Sequence, residues 1–227
     1  MSKEISVLLP GSFFEDGFNN KLDYLAKKNI KNIYLFDHSI NPSDEKKSMY
    51  NIKKGLSVIH ENTNYSFNLG VCVLNINVRK IDALFSEYIN PMLEIKNFRL
   101  GLGTGDNRYE ENRIKYSNNL DYIINDLINK YTFSIDGNNL FIGGTSQKKI
   151  DLIKKYSVGV NQWFGDEKKL ISIYENIDKN KPTLGRLSHC QNIQKINENP
   201  FTIFEQILVL KDSNIKNFYS QIDMILL

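Results

Sequence analysis

The chain has 227 residues with 29 basic and 26 acidic side chains, and its formal charge of +3 gives no reason to expect nucleic acid or an acidic membrane as a partner. At 41% hydrophobic and 24% charged it is an ordinary globular composition, which excludes collagen-like, disulfide-scaffold and disordered classes. Two cysteines, Cys72 and Cys190, point to a reducing compartment; with no run long enough for a signal peptide or membrane span, the expectation is cytoplasmic, and the Asn64-Tyr65-Ser66 sequon is accidental.

Short apolar runs alternate with amphipathic ones from end to end. Strand-like runs fall at Ile5–Leu9, Asn32–Phe36, Ser66–Leu74, Phe98–Leu102, Leu140–Ile142, Val158–Trp163 and Thr183–Leu187, with a weaker one near Phe218–Ile222. Most are continuous, as expected when both faces of a strand are buried. Between them, Leu84, Phe85, Tyr88 and Ile89 recur at helical spacing, as do Leu120, Ile123, Ile124, Leu127, Ile128 and Tyr131. Ser117-Asn118-Asn119 supplies a polar start for the second of these, and Gly137 closes the region before the next strand. Another helix begins near Gln147. Two further stripes are Leu170, Ile173, Tyr174 and Ile177, then Ile203, Phe204, Ile207 and Leu208.

Such alternation predicts parallel βαβ units. A generous count gives eight strands and a compact (β/α)₈ TIM-type barrel with short loops, one domain over residues 1–227. A strict count of six or seven keeps a doubly wound open sheet as the alternative. At about 28 residues per unit the barrel is tight, since roughly 250 residues is typical.

Barrel chemistry lies at the C-terminal strand ends. Those ends read Asp37-His38, then Gly70–Asn75 with Arg79 beyond, then Gly101–Asp106, Gly143-Gly144-Thr145-Ser146, Asn161-Gln162-Trp163, and Arg186 with His189. Four segments, Tyr34–His38, Leu69–Arg79, Arg99–Asp106 (RLGLGTGD) and Leu140–Trp163 (LFIGGTSQKKIDLIKKYSVGVNQW), resemble the luciferase-like monooxygenase superfamily of flavin- and deazaflavin-dependent oxidoreductases. Gly159 stands where the family has its glycine turn. The chain is short for that family and lacks the long insertions that complete its substrate pocket.

The resemblance implies FMN, or alternatively the deazaflavin coenzyme F-420, and redox chemistry on a small organic substrate. It also implies a separate flavin reductase if FMN is used, and a homodimer. A non-catalytic flavin-binding protein and a relic barrel serving only as a subunit partner are the readings from other classes. A colourless protein binding neither cofactor points to the last.

Gly143, Gly144 and Thr145 open a helix whose N–H groups and partial positive charge suit a phosphate, with a plain tight turn as the bland reading. Gly101–Asp106 is no Rossmann fingerprint, because no acidic residue follows at a second strand end. By resemblance, Gly103 lets a flat ring approach and Asp106 is the acidic residue of deazaflavin members; a helix N-cap reading of Asp106 stays equally open. His38 is the candidate acid–base group and Asp37 could orient it, although neighbours on a strand point to opposite faces. A packed structural His38 is the alternative. The resemblance places a non-prolyl cis peptide at Cys72–Val73 beneath the ring; read from the residues alone, Cys72 is a small buried hydrophobe. Trp163 walls the pocket or caps the rim, Arg186 and His189 are read as solvated, and the three histidines lack metal-ligand spacing.

Overall fold

A computed structural model describes residues 5–9, 11–14, 17–40, 52–62, 64–110, 115–130, 139–162, 172–173, 175–176, 181, 183–187, 205–210 and 215–226. Its strands are β1 (Ile5–Leu9), β2 (Asn32–Leu35), β3 (Asn68–Asn75), β4 (Arg99–Gly103), β5 (Leu140–Gly143), β6 (Gly159–Gln162), β7 (Thr183–Leu187) and β8 (Glu205–Val209). Each is parallel to the next and β8 returns to β1, so the sheet curls into a barrel. Strand order is sequential throughout, whereas a doubly wound sheet reverses at a switch point. The open-sheet alternative therefore falls.

The described helices are α1 (Phe18–Lys27), α2 (Ile52–Asn62), α3 (Ile81–Leu84), α4 (Asn90–Leu93), α5 (Leu120–Lys130), α6 (Gln147–Tyr156) and α7 (Ile215–Leu226). A π turn, Phe85–Ile89, joins α3 to α4. Two of these helices, α1 and α2, correspond to no predicted element. Their buried stripes are Leu22 and Leu25 in one, and Ile52, Leu56 and Ile59 in the other. Of the predicted helix at 170–177, residues 170, 171, 174 and 177 lie outside the described residues. Among those residues, no helix is long and apolar enough to cross a membrane.

Strands sandwiched between helices and a barrel interior bury both faces. Val7, Leu9, Ile33 and Leu35 pack in the cluster that the helices cover. Leu8, Tyr34, Phe36, Cys72, Phe141, Leu184, Ile207 and Val209 form the second cluster, inside the barrel. Phe141 explains Gly101, because a Cβ there would lie 2.4 Å from the Phe141 ring and 2.6 Å from the Val71 carbonyl oxygen. A polar network crosses the interior at the strand starts. Arg99 donates to Glu205, and at 2.8 Å to the Tyr34 hydroxyl, while Asn32 donates to Glu205 at 3.0 Å.

The last unit corrects the sequence reading. The stripe of Ile203, Phe204, Ile207 and Leu208 is expected to be helical, yet its described residues Ile207 and Leu208 lie in β8, the first two lie outside the described residues, and the expected strand at Phe218–Ile222 lies within α7. Ile207, Leu208, Val209 and Leu210 are all buried, a continuous run that also happens to satisfy helical spacing. Phe218 and Ile222 sit four apart on the buried face of α7, where Phe218 meets Phe13 with ring centroids 5.5 Å apart.

Candidate functional site

The ends of β2, β3 and β4 bring together the polar residues of the barrel mouth. Beyond Leu35 the chain passes through buried Phe36 into Asp37, His38 and Ser39, all half-buried. Asp37 is engaged elsewhere than on His38. Arg79 donates to both of its oxygens, Nη1 to Oδ2 at 2.5 Å and Nη2 to Oδ1 at 2.6 Å, and the Asn75 N–H donates to Oδ2 at 2.9 Å. Burial pushes the Asp37 carboxyl up from the usual carboxylate range, while Arg79 and the Asn75 N–H oppose that rise.

The carboxylate on His38 is Glu110, 72 residues along the chain, with Nδ1 and Oε1 2.8 Å apart. Asn75 Nδ2 donates to the same oxygen at 2.9 Å, and Ser39 Oγ donates to Oε2 at 3.0 Å. Ile40 N–H adds a backbone bond to the Tyr109 oxygen at 3.0 Å. Glu110 thus clasps the loop after β4 to the loop after β2, across the end of β3. Burial alone would raise its carboxyl; the bonds from His38 and Asn75 outweigh burial and hold it below the usual range. With Nδ1 on Glu110, Nε2 is the ring nitrogen left to exchange a proton. Neither Glu110 nor Asn75 figured among the sequence candidates. No local signal marks Glu110; Asn75 was visible only as the tail of a strand.

Between β5 and α6 the chain turns at Gly143-Gly144-Thr145-Ser146. Gly144 has φ of +96°, a conformation that side chains resist. Its N–H donates to the Asn161 oxygen at 2.9 Å, which pins the turn to β6. Lys149 brings Nζ to 2.7 Å from the Gly143 oxygen, and burial pulls its ammonium below the usual lysine value. A cation, the hydroxyls of half-buried Thr145 and exposed Ser146, and a helix N-terminus make a donor set that suits a phosphate. Lys149 is not among the sequence candidates.

The remaining candidates are placed as follows. The Cys72–Val73 peptide is cis. Burial pushes the Cys72 thiol up, so it is no thiolate nucleophile. A Cβ at Gly103 or Gly143 would lie 2.5 Å or 2.8 Å from a Val73 methyl, so these two bare positions flank the half-buried Val73. Asp106 caps the 3₁₀ turn Asn107–Tyr109 by accepting the Arg108 N–H at 3.0 Å, and pairs with the exposed Arg108 guanidinium. Its N-cap reading is realised. Gly159 opens β6. Trp163 and His189 lie outside the described residues, as does the side chain of Arg186. Among those residues, no group of three or more His, Cys, Asp or Glu side chains could hold a metal ion. A groove of about 810 Å³, lined by Lys53, Ser57, His60, Tyr88 and Met92, lies between α2 and the helical run 81–93, away from the strand ends where this site sits.

No protein-family model matches the sequence, and no curated protein matches it either. Solved structures do share the fold. An F-420-dependent secondary alcohol dehydrogenase in complex with an F-420-acetone adduct is 10% identical with a TM-score of 0.58, over 99% of this chain and 84% of that one. The oxygenating constituent of 3,6-diketocamphane monooxygenase from Pseudomonas putida, a type II Baeyer-Villiger monooxygenase in complex with FMN, is 12% identical with a TM-score of 0.52, over 99% and 78%. A 4-hydroxy-2-oxoglutarate aldolase/2-deydro-3-deoxyphosphogluconate aldolase is 10% identical with a TM-score of 0.59, over 99% and 93%. The resemblance read in the four sequence segments is thus reproduced in three dimensions, at the level of fold. Redox enzymes and an aldolase share it, so function must be argued from the site.

Proposed function

We propose that this chain is a compact (β/α)₈ barrel, one domain over residues 1–227, that binds a flavin-type cofactor at the C-terminal strand ends and carries out redox chemistry on a small organic substrate. The observation that carries the reading is the His38–Glu110 pair, a titratable imidazole with one nitrogen fixed and the other left for proton transfer, on the same strand ends as a phosphate-suited turn. FMN is the first cofactor in this reading, with coenzyme F-420 as its alternative. The FMN case implies a separate reductase as partner, and a cytoplasmic homodimer fits the rest of the reading.

The donor set at the β5–α6 turn fits the cofactor's phosphate: Thr145, Ser146 and the first-turn N–H groups of α6 would hold it, and Lys149 would balance its charge. Val73, between Gly103 and Gly143, would present an apolar shelf. When bound, the cofactor supplies the electron or hydride transfer. His38 would hold or release a proton at Nε2, and Glu110 fixes its orientation. Asp37 acts at one remove, by holding Asn75 and Arg79 in place.

The test is turnover of short alcohols, aldehydes and ketones with reduced FMN and oxygen, and separately with F-420. His38→Asn should lower turnover by ~10²–10⁴ while cofactor binding survives. Activity within twofold of the parent would make His38 structural. Tight binding without turnover under either regime would favour the non-catalytic flavin-binding protein instead.

A further inference from the structure

We propose that Tyr88, on the outside of the barrel, is a positioning residue for the His38–Glu110 site and acts on it through Arg79. The inference rests on the reading of that site given above. Tyr88 makes none of the hydrogen bonds that join His38, Glu110, Ser39 and Asn75. Its ring lies under the Arg79 guanidinium, with Cζ 3.8 Å from the ring centroid. Arg79 is largely shielded from water, its side chain 14% exposed, and stacking on an aromatic face is strongest for such a desolvated guanidinium.

From that ring the contacts run inward without a gap. The Arg79 fork grips both Asp37 oxygens, and its Nη1 also donates to the Asn75 carbonyl at 3.0 Å. Asp37 in turn accepts the Asn75 N–H, so the backbone of Asn75 is held from both sides. The Asn75 side chain then donates to Glu110 Oε1, the oxygen that meets His38 Nδ1. Tilting the guanidinium therefore moves the end of β3, and with it the acceptor that orients the imidazole. Arg79 also offsets the burial of Asp37, whose carboxyl is already pushed up.

The helix holding Tyr88 is shaped for this contact. Pro91 lacks an N–H and its ring crowds the carbonyl four residues back, at Glu87. The chain answers with the π turn Phe85–Ile89, in which the Asn90 N–H returns to the Phe85 oxygen. One residue is added to the turn, and at roughly 100° per residue in a regular helix this resets the direction of Tyr88 relative to α4.

The experiment compares Tyr88→Leu and Tyr88→Phe in the whole protein by NMR, following the His38 ring, the Asn75 amide and the Asp37 and Glu110 carboxyls, with urea unfolding alongside. Phe keeps the ring face and loses only the hydroxyl that also bonds Arg79, so it should move these signals much less than Leu does. Leu should move all of them, raise the pH at which Asp37 titrates, and lower turnover about tenfold with cofactor affinity unchanged, since small displacements at a site are costly. Loss of stability in Tyr88→Leu with His38 and Glu110 signals unmoved would reduce Tyr88 to packing and overturn the proposal. So would a Phe variant that behaves like Leu. If Tyr88→Leu does not fold, Arg79→Lys, which keeps charge but loses the planar fork, must move the same signals. The NMR comparison needs no substrate, so its failure and a failure to find turnover are separate results.

Discussion

Replacing Glu110 with Gln should open the clasp between the loops after β2 and β4. The carboxylate is 5% exposed and receives Asn75 Nδ2 at 2.9 Å and Ser39 Oγ at 3.0 Å besides meeting His38 Nδ1 at 2.8 Å. Glutamine keeps one oxygen but turns an NH₂ towards donors, so at least one partner loses its acceptor. A hydrogen bond to a charged group is worth about 1.5–3 kcal/mol and an orphaned buried donor costs about 1–3, so a loss of about 2–4 kcal/mol near neutral pH is expected. The Glu110 carboxyl is held below its usual range, so its contribution is complete above the ordinary glutamate pKa and disappears as pH falls through the lowered folded value. The gap between parent and Gln variant should therefore be full near neutral pH and close as pH falls below the ordinary glutamate range. Asp37 is shifted the opposite way, but it is common to both proteins and largely cancels in the difference. Urea unfolding across that range reads the gap, and hydrogen exchange at Ile40, whose N–H binds the Tyr109 oxygen, reads the clasp locally. Equal stability at neutral pH, or a gap that persists unchanged into acid, would refute the reasoning.

Three further outcomes follow from the geometry. Arg99→Leu removes the arginine paired with the buried Glu205 carboxylate, to which Asn32 still donates, and should cost about 3–5 kcal/mol in urea unfolding, whereas Arg99→Leu with Glu205→Leu should recover most of that loss. Gly101→Ala drives a Cβ to 2.6 Å from the Val71 carbonyl, which cannot swing aside as a side chain would, and should cost about 1–3 kcal/mol by the same measurement. Asp106→Asn keeps a good N-cap and loses only an exposed ion pair, so stability should hold within about 0.5 kcal/mol; a tenfold loss of F-420 affinity in that variant would instead place Asp106 on the cofactor.

Much of the barrel was legible because parallel strands buried on both faces leave continuous apolar runs, and seven such runs became strands at or near the expected residues. The last unit was not, since Ile203, Phe204, Ile207 and Leu208 recur at helical spacing and the deciding partner of Glu205, Arg99, is 106 residues away. At the site, His38 was visible as a lone titratable group at a strand end. Its carboxylate was sought next door at Asp37, but backbone alternation and the pull of Arg79 take Asp37 elsewhere, and Glu110 arrives only when the barrel places β4 two strands from β2. Lys149 and Tyr88 were hidden for a related reason. Lys149 carries no local mark in the sequence and Tyr88 reads as one more residue on a helical stripe, and only the folded turn at Gly144 and the π turn before Pro91 give them their neighbours.

The central claim is that a phosphate-bearing flavin-type cofactor sits on the β5–α6 turn, and a titration of FMN and of F-420 into the parent protein and into Thr145→Glu tests it most directly. Thr145 avoids the strain that any side chain would meet at Gly144, while a carboxylate there opposes a phosphate at the helix N-terminus. One cofactor should bind the parent with a Kd on the order of micromolar, and Thr145→Glu should weaken it at least tenfold, about 1.4 kcal/mol, with its urea midpoint unchanged. Binding of neither cofactor to the folded parent, or equal affinity in the Thr145→Glu variant, would contradict the account.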